Sequence, residues 1–402
     1  MGPPTIEGGT PEAAREAMVI TMLHWGFHAW AIYGVCALVI AYFAFRKEAP
    51  SLISTPIRGL FGGRSGQAIC TSADVLGVLA VVFGLAGSLT MGVMQVRSGL
   101  GNVFDVEGTT TVSILIMFAL FVSYMASATT GVAKGIKILS NINMVIALAI
   151  LLVVIFGGPT RFILEIFANT FGEYVSRMIE ISFRLFPYEG QTGWSAGWTL
   201  VYLIWWLAWG PFVGVFIARI SRGRTIREFC AGVIIVPTVF SILWFAAFGG
   251  SGIYIELFGR GGLSDLVFED TSRALFSFLS YFPAGEILSV LAVLLIFIFL
   301  VTSADSGTFV LSMLTSDGNL NPRVMHKMVW GSLIAVITVG TLLSGSVEVA
   351  RAMAVTGALP FSVILILQII GFLKEIRKEV RQAVAPIEAR GRVSTRPENV
   401  QA

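Results

Sequence analysis

The sequence predicts an all-α polytopic membrane protein, and three observations carry that prediction. Hydrophobic residues make up 55% of the 402-residue chain and charged residues only 13%, whereas a soluble domain carries about a quarter. Mean hydropathy is +0.83. The apolar residues come in runs of about twenty, the length a helix needs to cross a bilayer, not in the alternation of a membrane barrel. The net charge of +3 offers no basic surface for nucleic acid. Cys36, Cys70 and Cys230 have neither the pairing of a disulfide framework nor the spacing of a zinc site.

Nine spans follow in order, at about 18–44, 73–95, 110–128, 139–157, 198–219, 229–249, 284–303, 328–345 and 352–373. The first closes at Arg46-Lys47, the second before Arg97, and the fourth between Lys137 and Pro159. The fifth ends at Arg219, the sixth starts after Glu228, and the last lies between Arg351 and Lys374. The connections 158–197 and 250–283 carry RFILEIFANTFGEYVSRMIE and EDTSRALFSFLSYF. Apolar residues at helical spacing with charges between them predict amphipathic helices lying at the interface.

Basic residues set the orientation. With the loop 46–72 inside, twelve loop lysines and arginines and four more in KEIRKEVR share the cytoplasmic side, against eight outside. The C-terminus is then cytoplasmic, the N-terminus external, and the bilayer is the plasma (inner) membrane. MGPPTIEGGTPEAAREAM lacks the basic start and apolar core of a signal peptide. It reads as an extracellular loop, which makes the chain an expected N-terminally incomplete protein.

The stretch from Trp198 to Glu228, WTLVYLIWWLAWGPFVGVFIARISRGRTIRE, is the most informative. Tryptophan in a membrane helix normally sits at the interface, yet Trp205, Trp206 and Trp209 lie near mid-span, within about 100° of one another. Two readings stand: tight helix packing, or a cavity of π-faces whose usual guest is a quaternary ammonium.

At this stretch the sequence resembles the betaine/carnitine/choline transporter family, through WWLAWGPFVGVFIARISRGRTIREF (205–229). HWGFHAWAIY (24–33), GVMQVRSGL (92–100), TGVAKGIKILSNINM (130–144) and FLVTSADSGTFVLSML (299–314) resemble further family segments in family order. The likeness covers about 17–373. It implies an inverted-repeat transporter fold, two five-helix repeats after two extra helices, with substrate and ions bound mid-membrane beside a broken helix. About nine of an expected twelve helices are present on that plan. Residues 1–17 are then a loop remnant, 18–157 a first repeat without its opening helix, and 158–197 an extracellular amphipathic connection. Residues 198–373 are a complete second repeat and 374–402 a cytoplasmic tail. The absent helix would carry the family's glycine-rich unwound segment.

The implied function is secondary import of a quaternary ammonium compatible solute (glycine betaine, choline or carnitine), coupled to sodium. The alternative is a non-transporting, truncated remnant. No cluster of carboxylates, histidines or cysteines supports an enzyme, and no cofactor is expected beyond sodium as the coupling ion. By resemblance the substrate box is Trp25, Trp30 and Tyr33 on one helix with Trp206 on another. Trp205 and Trp209 line the adjoining pathway or a transient site, with Phe212 below; Leu203 stands where the family often has an aromatic residue. The alternative for Trp25, near the outer end of its span, is an interface anchor. His24 and His28, at i and i+4, have no further metal ligand in view and read as polar, interface-facing residues; His326 has no functional case.

The Phe299 carbonyl and the Thr302 and Ser303 hydroxyls match part of the family's sodium site, oxygen ligands suited to a hard cation. Taken alone, such hydroxyls more often bond to their own helix. Ser88 and Thr90 lie where a second sodium site draws hydroxyls, and Asp305 is expected to cap or brace its helix. Arg219, Arg222, Arg224 and Arg227 read either as plain positive-inside topology or as a clasp on the inner gate and anionic headgroups. Family members often form trimers, to which the segment 161–184 would contribute.

Overall fold

The computed structural model describes residues 3–130 and 133–393. Among them there are helices and no strand. The chain opens with α1 (Pro11–Trp25) and α2 (Phe27–Ala41), then α3 (Gly63–Phe104), α4 (Thr110–Thr130), α5 (Ala133–Gly157) and α6 (Thr160–Ser182). A short α7 (Thr192–Ser195) runs through a π-turn (Ala196–Leu200) into α8 (Val201–Ile220). Next come α9 (Ile226–Cys230), α10 (Val236–Phe258), α11 (Leu263–Glu269) and α12 (Ala274–Leu279). The last three are α13 (Gly285–Leu314), α14 (Val324–Leu343) and α15 (Val347–Val393). Nine helical stretches among the described residues are long and apolar enough to cross a membrane, one for each expected span.

Several run past their apolar cores. α3 has 42 residues where 73–95 is expected, because polar RSGQAICTSAD continues the helix toward the surface. There Asp74 accepts the backbone N–H of Ser54 at 2.8 Å. α15 carries the charged tail onward as helix.

The connections depart from expectation in one place. α6 is the expected amphipathic helix, but 250–283 holds no long one. α10 extends to Phe258, and after α11 a single 3₁₀ turn (Thr271–Arg273) leads into the six-residue α12. Phe276, Phe278 and Leu279 are buried in a second apolar core with α5 and α13. These side chains plug the bundle instead of lying in headgroups, since rings of that size gain most when removed from water altogether.

The main core surrounds α3, which packs along α13 and α15 and touches α8. Leu85, Leu89, Val93 and Leu300 sit inside it. With no hydrophobic drive between helices in lipid, close contact comes from small residues. A Cβ on Gly84 would lie 2.6 Å from the Cβ of Ala208, so α3 and α8 meet almost backbone to backbone. Leu115, Phe118, Met144, Val145 and Phe156 face outward, as lipid-facing residues do.

The helix contacts also exchange in pairs. α3 against α15 has its counterpart in α13 against α5, and α4 against α13 in α14 against α3. α3–α13 and α4–α14 map onto themselves. The contacts of α8 with α2 and α3 have no such counterpart among the described residues.

The expected first span is not one helix. It breaks at Gly26 (φ −95°, ψ −138°), whose N–H closes α1 on the Met22 carbonyl at 2.7 Å. A Cβ there would lie 2.6 Å from that carbonyl and 2.8 Å from the Tyr174 ring and hydroxyl. Gly26→Val is therefore expected to destabilise the fold by about 1–3 kcal/mol, as overpacking does. A melting temperature unchanged from wild type would contradict it.

Candidate functional site

The site grows from the seam between α2 and α8. Trp206, Gly210 and Gly214 recur every fourth residue on one face of α8. A Cβ on Gly210 would lie 3.0 Å from Cys36 Sγ, and one on Gly214 2.9 Å from Cys36 Cβ. The two glycines thus let α2 close on α8, and one turn earlier Tyr33 meets Trp206 with ring centroids 4.6 Å apart. Trp25 stands 5.4 Å and Trp30 5.5 Å from the same indole, both edge to face. Trp30 and Tyr33 are 5.9 Å apart.

All four residues expected in the box therefore converge, with one correction to their support. Trp25 ends α1 while Trp30 and Tyr33 belong to α2, so the Gly26 break sets the angle between them. Trp30 Nε1 donates to Ser241 Oγ at 3.3 Å, which anchors that ring to α10. Trp206 and Tyr33 are buried, whereas Trp25 is 36% exposed and forms the open wall. Offset and edge-to-face pairs are the favoured aromatic geometry, and the same faces attract a cation within about 6 Å. At these separations the rings touch one another, so a guest can enter only if they part.

Trp205 and Trp209, expected along the adjoining pathway, are tied to α3. Both indole N–H groups donate to Ser88 Oγ, at 3.1 and 3.2 Å, and Ser88 donates to the Gly84 carbonyl at 2.8 Å. One donor and two lone pairs are then all used. Trp205 and Trp209 thereby fasten α8 to α3, and Trp209 also packs against the cluster of Ala29, Tyr33 and Trp206. Phe212 packs against Trp209 at 5.4 Å. Thr90 Oγ1 donates to the Ala86 carbonyl at 2.9 Å and keeps its lone pairs, unlike Ser88.

In α13, Thr302 Oγ1 donates to the Ile298 and Phe299 carbonyls at 3.1 and 3.0 Å. The Phe299 side chain is 52% exposed and Ser303 is buried. Three oxygens from one helical turn are fewer than a hard cation takes. They fit part of a sodium shell, with the remainder to come from water or another element. Among the described residues no group of three or more His, Cys, Asp or Glu could hold a metal. Asp305 does not cap a helix end, because α13 continues nine residues beyond it to Leu314, but it braces the helix through a hydrogen bond with Ser127 of α4.

The histidines are structural. His24 is buried, not interface-facing. It stacks on Tyr202 at 5.0 Å and shares a 3.0 Å hydrogen bond with Thr199. His28 lies between Tyr174 OH, 3.1 Å from Nδ1, and Ser182 Oγ, 2.7 Å from Nε2. Ser182 donates to the Met178 carbonyl, so it accepts from His28 Nε2–H, leaving Nδ1 to accept from Tyr174. Burial pushes the Tyr174 phenol up to about 12, so at neutral pH it keeps the proton it donates.

Sequence reasoning missed the clasp of which these contacts are part. Arg177 of α6 holds Glu16 of α1 through two bonds of 2.7 and 3.1 Å, and Arg184 adds a third at 3.0 Å. The adjacent carboxylate holds Arg177 firmly charged. The available signal was a glutamate at the edge of an apolar span, opposite arginines two helical turns apart. At the far end of α2, Lys47 pairs with Glu375 and Glu379, both at 2.8 Å, and Arg46 with Glu379 at 2.9 Å. Arg219 lies over Phe309 and Arg222 over Phe45.

A profile of the betaine/carnitine/choline family of transporters matches residues 1–381. The chain is 43% identical over 380 residues to an ectoine/hydroxyectoine transporter of Virgibacillus pantothenticus, covering 94% of this chain and 75% of that protein. It is 40% identical over 380 residues to a glycine betaine transporter of Bacillus subtilis, covering 94% and 74%. An osmo-independent choline transporter of Acinetobacter baylyi is 36% identical over 390 residues, at 95% and 74% coverage.

Proposed function

Because the chain belongs to the betaine/carnitine/choline family of transporters, we propose that it imports a quaternary ammonium compatible solute, glycine betaine foremost, with sodium. It is a multi-pass membrane transporter of compatible solutes and not an enzyme. The observation that carries the finer reading is the convergence of Trp25, Trp30 and Tyr33 on Trp206. A trimethylammonium group has no N–H to donate and spreads its charge over methyl groups, so ring faces suit it better than acceptors. Each contributes about 0.5–2 kcal/mol.

Transport then consists of α1, α2, α8 and α10 rocking against a scaffold of α3, α4, α13 and α14, parting the rings from one side at a time. The paired exchange of helix contacts supports two inverted repeats, 18–157 and 198–373. The basic-residue asymmetry supports a cytoplasmic C-terminus. A homotrimer belongs to the same reading, through the exposed stripe Leu164, Phe171, Val175 and Ile179 of α6.

The test is uptake of labelled glycine betaine into proteoliposomes with and without an inward sodium gradient. Gradient-driven accumulation is expected. Binding without translocation under any gradient would favour a non-transporting remnant. The Virgibacillus relative makes ectoine, a cyclic amidinium zwitterion, the competing substrate, and stronger inhibition by ectoine than by choline would favour it. Thr302→Ala with Ser303→Ala is expected to raise the sodium concentration for half-maximal uptake about tenfold or more. An unchanged sodium dependence would remove these residues from coupling.

A further inference from the structure

α2 begins without a cap of its own. Gly26, the residue before its first turn, has no side chain to offer. The first bond within the helix runs from the Trp30 N–H to the Gly26 carbonyl at 3.1 Å. The N–H groups of Phe27 and His28 are therefore orphans of the helix start, and such groups need partners from outside the helix. Both bond to one atom, the hydroxyl oxygen of Tyr174 on α6. Tyr174 is fully buried. Its ring stacks on Phe27 at 5.7 Å and occupies the space that a Cβ on Gly26 would need.

That hydroxyl is fully committed. It accepts from the two N–H groups and donates to His28 Nδ1 at 3.1 Å, which uses its one proton and both lone pairs. His28 Nε2–H donates in turn to Ser182 Oγ at 2.7 Å, and Ser182 to the Met178 carbonyl. Tyr174, Met178 and Ser182 recur every fourth residue along α6. One face of that helix thus receives a chain of bonds that all point the same way, from the start of α2 back into α6, and each strengthens the next.

We propose that Tyr174 is a positioning residue for the aromatic box: its hydroxyl takes the place of the missing cap on α2 and fixes the angle of the Gly26 break. The inference rests on the proposed box and substrate class. Trp25 is the wall that depends on this angle, because it ends α1 while the other rings of its wall stand on α2. Trp30 is tied separately to Ser241, and Tyr33 packs on Trp206. Tyr174 itself belongs to another core, with Val19, Met22 and Ile242, so it acts through the break and not by touching substrate.

Equilibrium binding of labelled glycine betaine to the purified full chain tests it, with thermal melting as the check on folding. Tyr174→Phe keeps the stack on Phe27 and removes only the hydroxyl. It is expected to weaken binding about tenfold, the loss of one ring face. In uptake it should raise the half-saturating concentration by a like factor and leave the maximal rate within about twofold, the mark of lost binding alone. Trp25→Ala should weaken binding about tenfold as well, and the double change no further, since both act on one wall. Amide exchange at Phe27 and His28 should quicken about tenfold or more in Tyr174→Phe, but not in Trp25→Ala. His28→Ala, a second variant that removes only the acceptor of the Tyr174 proton, should weaken binding about threefold. Wild-type affinity in both Tyr174→Phe and His28→Ala would overturn the positioning role alone. So would losses that multiply in the double change, or a lowered maximal rate with unchanged half-saturation. Wild type that binds no glycine betaine would overturn the substrate class, and this role with it.

Discussion

Trp206→Ala is expected to lower glycine betaine uptake about a hundredfold while the protein still reaches the membrane. Trp206 touches every other ring of the box, at 4.6, 5.4 and 5.5 Å, so its removal takes one π-face and loosens three. One face is worth about 0.5–2 kcal/mol. The collapse or misplacement of the other three brings the loss to roughly 3 kcal/mol, and each 1.4 kcal/mol is a factor of ten. Trp206→Phe keeps a face in the same place and should retain about a tenth of wild-type uptake. Trp205→Phe breaks only the bond to Ser88 and should fall much less. Initial uptake rates at low substrate, normalised to protein in the membrane, decide the order. A Trp206→Ala rate close to wild type would dissolve the aromatic-box assignment.

Much of this site was legible because its determinants are local. Apolar runs between charges locate the spans and mid-span tryptophans mark one aromatic face, while the pairing of Trp25, Trp30 and Tyr33 with Trp206 is what the family resemblance implies. What was not legible depends on contacts between distant segments. The apolar run through HWGFHAWAIY reads as one helix, since nothing nearby shows that Tyr174, about 150 residues on, leaves no space for a Cβ at Gly26. Trp205 and Trp206 are neighbours in sequence, but a 100° turn sends one to Ser88 and the other into the box. The sequence pattern of 263–279 shows apolar and charged residues in alternation, but not that Phe276 and Leu279 would find a core between α5 and α13.

The clasp of α6 on α1 is where the second large effect is expected: Glu16→Ala should destabilise the protein by about 2–3 kcal/mol and depress transport as well. Glu16 is 7% exposed and accepts three charge-assisted bonds, two from Arg177 and one from Arg184. Removing one partner of a buried pair costs about 3–5 kcal/mol, chiefly for the charge left behind. Here the guanidiniums keep part of their hydration and Glu180 as an alternative partner, within 3.4 and 4.0 Å, which lowers that figure. The loss should reach the box because α6 also holds α2 through His28, immediately beyond the Gly26 break that aims Trp25 against Trp30. Arg177→Lys should reproduce part of the defect, since an ammonium cannot make the paired bonds of a guanidinium. Glu16→Ala combined with Arg177→Ala should recover stability relative to the sum of the single changes, as coupled residues do. Melting temperatures of these variants and of Arg177→Ala alone measure the first effect and glycine betaine affinity the second. Full stability in Glu16→Ala would reduce the ion pair to a surface contact. Lowered stability with wild-type affinity would separate the clasp from the site it adjoins.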